Sequence, residues 1–494
     1  MTIKVILPHL VKNHINELLE LNENYAGNVE KVNLELLGAV WTITNINFET
    51  TKQPEKIKLQ TGCLSVKGVN LYKLFFKNEL HINTLEVFSP NLKLTKALEG
   101  NNLTSYHKPP SNAIRINNFK IYDGVFLKTG NQQDTLASLS LKKLVVKDIA
   151  VKALQDFTFF SDKQLEHLAV ERFYLKLNKF ENLHIPKFFL ERGDLKINDL
   201  AIKTHYSKSM LTTKLYKERD YFDFFVKKIT LENINFTFKK NEPELKIKKG
   251  LLKDFTLEVF RDKLLPDNIV STAYYGQMLR SVPLKMATDS IILQNGNLVY
   301  SERIDLSREP SKLKFDTLEG TILNISNYKN TKIETKLSSR LMGEAALTIN
   351  YSMKPLDTLE TFFVSGSIKN FRAKQLDDFF RSSLQATAQG SVDQMYFTFS
   401  GDRYAATGDV KMKYEDFKLE VLRKDLLKIN KVLSFIGNLL VNDGSNNDAN
   451  GYRHGAIATK PDRTKSFPNY IWTCLKDGII ETITGKGKKK QNKL

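Results

Sequence analysis

The chain has 494 residues, of which 41% are hydrophobic and 26% are charged, and its formal net charge is +19. This balance supplies enough apolar side chains for folded cores, which excludes an intrinsically disordered polymer. The two cysteines, Cys63 and Cys474, form neither a CxxC motif nor a zinc-ligand spacing, so we expect free thiols and no disulfide framework.

The positive charge has three interpretations: a nucleic-acid partner, anionic lipid headgroups, or solubility alone. Lysine and arginine are spread along strand-like segments, and the one dense cluster lies in the tail, at residues 486–493. No nucleic-acid-binding motif accompanies this cluster, so we expect no nucleic acid as a partner. The sequence also lacks an apolar run of 18 residues and a signal peptide at its start.

In chain order, residues 9–22 have the apolar spacing of a helix. Residues 28–351 then alternate apolar and polar side chains in short runs, which is typical of antiparallel strands. Residues 89–91 carry a turn signal between two such runs, so we expect the chain to turn there. The apolar spacing of residues 161–171 predicts one helical interruption.

A short pattern recurs through this strand-rich region. An apolar residue and a polar residue precede an Asn or Asp, and apolar residues follow at every second position. Asn and Asp tolerate left-handed backbone, whereas the alternation predicts a strand with one dry face. We therefore expect one β unit, used many times, with a turn or bulge at the Asn or Asp. The central residues of the copies are Asn45, Asp123, Asp148, Asp199, Asn233 and Asn295.

The C-terminal third combines strands with amphipathic helices. Residues 374–384 predict a short helix, and residues 425–441 have the most regular helical stripe in the chain. A second amphipathic helix is expected from Tyr470 onward, ahead of the basic tail. The expected domains are an N-terminal helix, a repetitive β region, a C-terminal β module, and a final region of helices, linker and tail, with bounds 1–24, 25–340, 341–422 and 423–494.

The predicted fold is mainly β. It is an elongated, curled antiparallel sheet, with a few short helices and two amphipathic C-terminal helices. The apolar face of so large a sheet must be covered by a second sheet, by closure, or by an apolar ligand.

The sequence contains no clear catalytic motif. HExxH, GxSxG and phosphate-loop motifs are missing, and the histidines are scattered. Ser140 and Lys143 have an SxxK spacing, but on a strand their side chains point to opposite faces. We therefore expect no enzyme, no metal and no cofactor.

Several C-terminal motifs resemble the closing module of AsmA-like envelope proteins. They are LDDFF (376–380), AQG (388–390), MYFTFSG (395–401) and GDVKMKY (408–414). The segment TKSFPNYIWTCLKDG (464–478) is similar to one in the Bacteroidetes branch of that family, and residues 15–29 resemble the place where such proteins leave their membrane helix.

The resemblance implies a periplasmic, inner-membrane-associated protein of a Gram-negative bacterium, with a membrane anchor expected ahead of residue 1. It implies a sheet folded like a taco, whose apolar inner face carries phospholipid chains in lipid transport or outer-membrane biogenesis. The implied partners are phospholipid or another lipid, a membrane surface and envelope proteins. The alternative is a structural or scaffolding β protein whose core is filled by its own side chains.

Two sets of candidate residues follow. Alternating apolar residues of the β units would line the groove, namely Leu85, Val87, Phe236, Phe238, Leu347, Ile349, Phe397 and Phe399. The C-terminal helices and tail would contact a membrane or partner through Leu433, Ile436, Leu440, Trp472, Ile479, Lys488, Lys489 and Lys490. Alternatively, these helices form a lid over the sheet.

Overall fold

The computed structural model describes ten stretches of the chain, with bounds 3–20, 25–35, 40–50, 55–77, 79–96, 114–151, 164–239, 242–383, 386–421 and 447–484. In these stretches, 21 strands belong to one large mixed sheet and the helices are few and short. The mainly β class is therefore confirmed. The chain divides into unit 1, Met1–Lys203 with Lys228–Lys246, and unit 2, Thr204–Lys227 with Ile247–Leu494.

The first half of the chain contains the following elements: α1 (Ile3–Glu20), β1 (Tyr25–Glu35), β2 (Val40–Thr50), β3 (Glu55–Val69), α2 (Leu71–Lys77), β4 (Leu80–Phe88), β5 (Asn91–Lys96), β6 (Ile114–Thr129), β7 (Thr135–Val151), β8 (Leu165–Lys176), β9 (Glu181–Glu191), β10 (Asp194–Thr204), α3 (Lys208–Lys214), β11 (Asp220–Glu232) and β12 (Asn235–Lys239).

The second half contains β13 (Glu242–Asp262), α4 (Tyr275–Arg280), β14 (Lys285–Arg303), β15 (Ser311–Ser326), β16 (Ile333–Leu341), β17 (Ala345–Met353), β18 (Phe362–Arg372), a 3₁₀ turn (Ala373–Leu376), α5 (Asp377–Ser383), β19 (Ala386–Gly401), β20 (Ala406–Val421), β21 (Arg453–Thr459) and α6 (Phe467–Thr484).

The strands of unit 1 follow one another across the sheet, with one interrupted strand. β1, β2 and β3 pair antiparallel, and so do β6, β7, β8 and β9. Between these groups β3 pairs first with β4 and then with β5, and both of these run parallel to β6. The turn expected at residues 89–91 is therefore wrong, because β5 continues in the direction of β4. Ser89 supplies only a kink, with a positive φ of 51°.

The recurring Asn and Asp residues adopt the backbone that the pattern predicts. All six central residues have positive φ, between 49° and 57°. Five of them interrupt the regular pleat within a strand, whereas Asn233 lies between β11 and β12. The repeated β unit with an irregularity at its Asn or Asp is thus confirmed.

Two helix predictions have different outcomes. The helix expected at residues 161–171 is wrong, because β8 begins at Leu165 and pairs with β7. Apolar side chains at 165, 168 and 169 also fit a strand with an irregular register, so local spacing was ambiguous. The helix expected at 374–384 is confirmed as a 3₁₀ turn followed by α5.

Unit 2 contains a continuous antiparallel series from β14 to β21. α5 and α6 pack with this series around one large core. Tyr274, Leu341, Phe397 and Cys474 all belong to that core, so residues on both sides of the boundary expected at 340/341 share it. The helix expected at 425–441 and the basic tail lie outside the described residues, and with them lie Leu433, Ile436, Leu440, Lys488, Lys489 and Lys490.

Candidate functional site

Unit 1 carries three rows of apolar side chains that pass from strand to strand without a polar interruption. Each member lies directly opposite the next in the pairing register, and such cross-strand neighbours share one face of the sheet. The first ladder is Phe48, Leu59, Leu92, Phe126, Leu139, Phe173 and Ile185. The second is Val32, Ile43, Leu64, Val87, Ile121, Leu144, Leu168 and Leu190. The third is Leu34, Trp41, Val66, Leu85, Phe119, Val146 and Leu165.

On β2 and β3, irregular residues keep apolar side chains on the same face. Val66 and Val69 are three residues apart, which in a regular strand would place them on opposite faces. Gly68 lies between them with a positive φ of 70°, and both valines belong to one cluster with Ile82. The second and first ladders are likewise five residues apart on β2, with the positive-φ residue Asn45 between them. We infer that the irregular residues unite the ladders in one apolar face, and we call it the ladder face.

The opposite face of the same strands carries many polar and charged side chains, with the stacked rings of Phe88 and Tyr122 among them. The Asn47 amide donates to Asn28 Oδ1 at 3.1 Å, and the Gln60 amide donates to Asn47 Oδ1 at 3.0 Å. On this face Glu86 is buried and accepts from the ammonium groups of two lysines. Those contacts measure 2.7 Å to Lys67 and 3.3 Å to Lys120.

The hydrogen bond from Lys67 is the main cause that holds the pKa of Glu86 below its usual value. A shallow recess of about 310 Å³ also opens among polar residues that include Lys120, Lys143 and Glu166.

The ladder face is only partly covered by the described chain. Val32, Val66, Val146 and Ile185 are buried, and the other ladder side chains are half-buried. The described helices of unit 1 contact its edge and β4: α1 packs on β1, and α2 packs on β4. In α1 the side-chain amide of Asn16 accepts from the Val29 N–H at 2.7 Å and donates to the Val29 carbonyl at 3.2 Å.

The groove candidates of unit 1 lie in different places. Leu85 belongs to the third ladder and Val87 to the second, and both are half-buried. Phe236 is half-buried on β12, opposite Leu245. Phe238 lies on the same strand, and its side chain is outside the described part.

The groove candidates of unit 2 require a correction. Leu347, Phe397 and Phe399 are buried, with 6%, 3% and 1% exposure, and Ile349 packs against the same core. Their alternation does point them to one face, as expected. However, side chains of α5 and α6 fill the space in front of that face, so these four residues are core residues and do not line an open groove.

α6 forms the lid that was the alternative interpretation of the C-terminal helices. Trp472 contacts Phe379 edge-on, with ring centroids 5.3 Å apart, and Ile479 packs on the same core. At the start of the helix, Phe467 and Tyr470 contact Phe362 of the sheet at 5.0 and 5.5 Å between ring centroids. Trp472 and Ile479 are therefore engaged with the chain's own core rather than presented to a membrane.

Burial favours the neutral, less reactive forms of two ionisable groups in this core. Cys474 is fully buried, and burial raises the pKa of its thiol to about 12. Burial also raises the pKa of the Tyr470 hydroxyl. Among the described residues, no group of three or more His, Cys, Asp or Glu side chains is arranged to hold a metal ion. The described helices include none with the length and apolarity needed to cross a bilayer.

Sequence reasoning identified two members of the ladder face and missed the rest. The sequence shows the alternation of apolar and polar residues along each strand, but it does not show the register in which the strands pair. Comparison of the sequence with family models and with curated proteins finds no match.

Proposed function

We propose that the chain is a non-enzymatic lipid-binding protein of the cell envelope. In this proposal the ladder face shields the acyl chains of phospholipids or other lipids and conducts them between membranes. The observation that carries the proposal is the set of three unbroken apolar ladders, most of whose members are half-buried. The envelope setting rests on the resemblance to AsmA-like proteins.

The dimensions of the ladder face suit an acyl chain. The second ladder crosses eight strands. At a strand spacing of ~4.8 Å it is about 34 Å long. Half of a bilayer's hydrocarbon core is only about 15 Å thick, so one ladder is longer than the chains of one leaflet.

The energetics favour binding without a fixed position. Each acyl CH₂ removed from water contributes about 0.8 kcal/mol, and this term is non-directional. The ladders contain no polar side chain that would hold a lipid in one register. A bound chain can therefore move along the face, while the headgroup stays in water. The net charge of +19 favours anionic headgroups.

A scaffolding role is the second candidate, and the filled core of unit 2 favours it. There the chain covers its apolar sheet face with α6 and needs no ligand. The same solution in unit 1 would give a structural β protein. The two candidates therefore differ in what occupies the ladder face.

Native mass spectrometry and lipid extraction of the purified full chain test the proposal. Wild-type protein should retain phospholipid, and the double variant Ile121→Gln/Leu144→Gln should retain much less. Lys143→Gln is the matched control, because Lys143 neighbours Leu144 and its partner Tyr122 lies on the polar face. A folded wild-type protein that carries no lipid and takes up none from added vesicles contradicts the proposal and favours the scaffold.

A further inference from the structure

Unit 2 exposes a cluster of large apolar side chains on three turns. Tyr216 lies on residues 215–219, between α3 and β11, and is 93% exposed. Residues 263–271, after β13, and residues 304–310, between β14 and β15, carry the others. The exposed apolar residues of these two turns are Leu264, Ile269, Val270, Ile304 and Leu306, with Ile269 74% and Leu306 78% exposed.

Backbone hydrogen bonds hold the three turns side by side. The Glu218 N–H donates to the Pro266 carbonyl at 2.8 Å, which joins the first turn to the second. The Lys263 N–H donates to the Arg303 carbonyl at 2.9 Å, which joins the second turn to the end of β14, immediately before the third turn. Single exposed apolar side chains are ordinary on a protein surface, whereas a group on adjoining turns marks an interaction site. We call this group the loop-tip patch.

An ionic network lies next to these turns. Arg261 donates twice to the Asp220 carboxylate, at 2.7 and 2.8 Å. The buried carboxylate of Asp262 accepts from Arg303 and, at 3.0 Å, from the Thr212 hydroxyl. These pairs fix the ends of the strands that carry the turns.

Lys465 adds a second set of ion pairs to the network. Its ammonium group lies 2.6 Å from Asp267 and 3.7 Å from the buried carboxylate of Glu218, which is also 3.5 Å from Lys263. Asp267 and Glu218 are thus paired with a lysine within the protein, whereas Glu309 of the third turn is exposed.

The surface around the first turn is apolar with basic flanks. Lys214 and Lys217 are exposed on either side of Tyr216, whereas Arg308 of the third turn lies 3.9 Å from the Asp305 carboxylate. This combination complements a surface that is apolar inside and negatively charged outside.

We propose that the loop-tip patch inserts into the interface of an anionic lipid bilayer. The tips occur on three separate turns, which suits insertion among headgroups. Tyrosine favours the boundary between water and acyl chains, and lysines beside an inserting element attract anionic headgroups. This proposal does not depend on what occupies the ladder face of unit 1.

Co-sedimentation of the full chain with vesicles tests it. Vesicles of phosphatidylcholine and phosphatidylglycerol in equal parts should bind the protein, and binding should weaken as salt rises because salt screens the headgroup charge. Vesicles of phosphatidylcholine alone should bind it less. The triple variant Tyr216→Ser/Ile269→Ser/Leu306→Ser, with one change on each turn, should bind the anionic vesicles at least about tenfold more weakly.

Three controls make the result decisive. Leu177→Ser removes an exposed apolar side chain from a turn of unit 1 and should leave vesicle binding unchanged. Lys214→Glu/Lys217→Glu should weaken binding to anionic vesicles only. Unfolding followed by Trp472 fluorescence checks that each variant is folded.

A folded triple variant that binds like the wild type overturns the proposal, as does a wild type that binds neither vesicle. The loop-tip patch could instead bind a second copy of the chain, and sedimentation velocity measures whether the protein is a dimer. A wild-type dimer that the triple variant converts to a monomer, without vesicle binding by either, would also overturn the membrane assignment.

Discussion

Replacing Gly455 of β21 by alanine should loosen α6 from the core of unit 2. A Cβ at this position would lie 2.3 Å from the Gly478 carbonyl oxygen and 2.4 Å from the Thr482 nitrogen, both in the backbone of α6. Ordinary contact requires about 3.5 Å, so the helix must move away by about 1 Å. A backbone cannot rotate aside as a flexible side chain can, and the displacement therefore involves the whole helix.

The magnitude follows from two costs and one gain. Overpacking a filled core costs about 1–3 kcal/mol. Displacement of α6 also weakens the buried hydrogen bond of 2.7 Å from Arg453 to the Thr482 carbonyl, and an unsatisfied buried group costs about 1–3 kcal/mol. Alanine recovers about 0.5–1 kcal/mol relative to glycine in a strand. We expect a net loss of about 2 kcal/mol in the free energy of unfolding of unit 2, since the hydrogen bond is only partly lost.

Urea unfolding followed by tryptophan fluorescence measures this loss. The chain has two tryptophans, Trp41 in unit 1 and Trp472 in α6. A Trp41→Phe background therefore reports on unit 2 alone. Ala456→Ser is the matched control, because Ala456 is exposed on the other face of the same strand. An unchanged midpoint for Gly455→Ala would refute the account of α6 as a tightly packed lid.

Three further predictions concern single side chains. Because lysine contacts depress the pKa of Glu86, its stabilising effect is present above the unfolded-state pKa and disappears as the pH falls through the folded-state value. Glu86→Gln should therefore make the urea midpoint of unit 1 less sensitive to acid. At the positive-φ position of Asp123, Asp123→Gly should be tolerated and Asp123→Val should cost about 1–2 kcal/mol, measured by the same unfolding assay. In native protein a thiol reagent at mildly alkaline pH should modify Cys63, which is half-buried, and modify Cys474 only after denaturation.

The local features of the fold could be predicted because they depend on residue type. Asn and Asp tolerate positive φ because their short polar side chains can hydrogen-bond to the nearby backbone. The structure places both Asn45 and Asp123 in that region. Alternation around Leu85 and Val87 likewise identified a strand with one apolar side. Leu165 shows the limit of local spacing, since its neighbourhood fits both a helix and an irregular strand and only the pairing with β7 decides between them.

The ladder face and the lid depend on contacts between residues that are distant in sequence. Phe126 and Phe173 belong to one ladder only because β6, β7 and β8 adopt a particular register. Phe397 and Phe399 alternate like groove-lining residues, yet the distant helix α6 completes a core around them. The same local pattern thus produced a half-buried face in unit 1 and a filled core in unit 2.

Photocrosslinking with a phospholipid that carries a diazirine on its acyl chain tests the central claim most directly. After irradiation of the full chain, peptide mass spectrometry locates the labelled residues. Our account predicts labels on ladder residues of β6 and β7, such as Phe126 and Leu139, and few on Ser140, the next residue along β7. Labels concentrated on the polar face, or no labels in unit 1 although the lipid is bound, would contradict it.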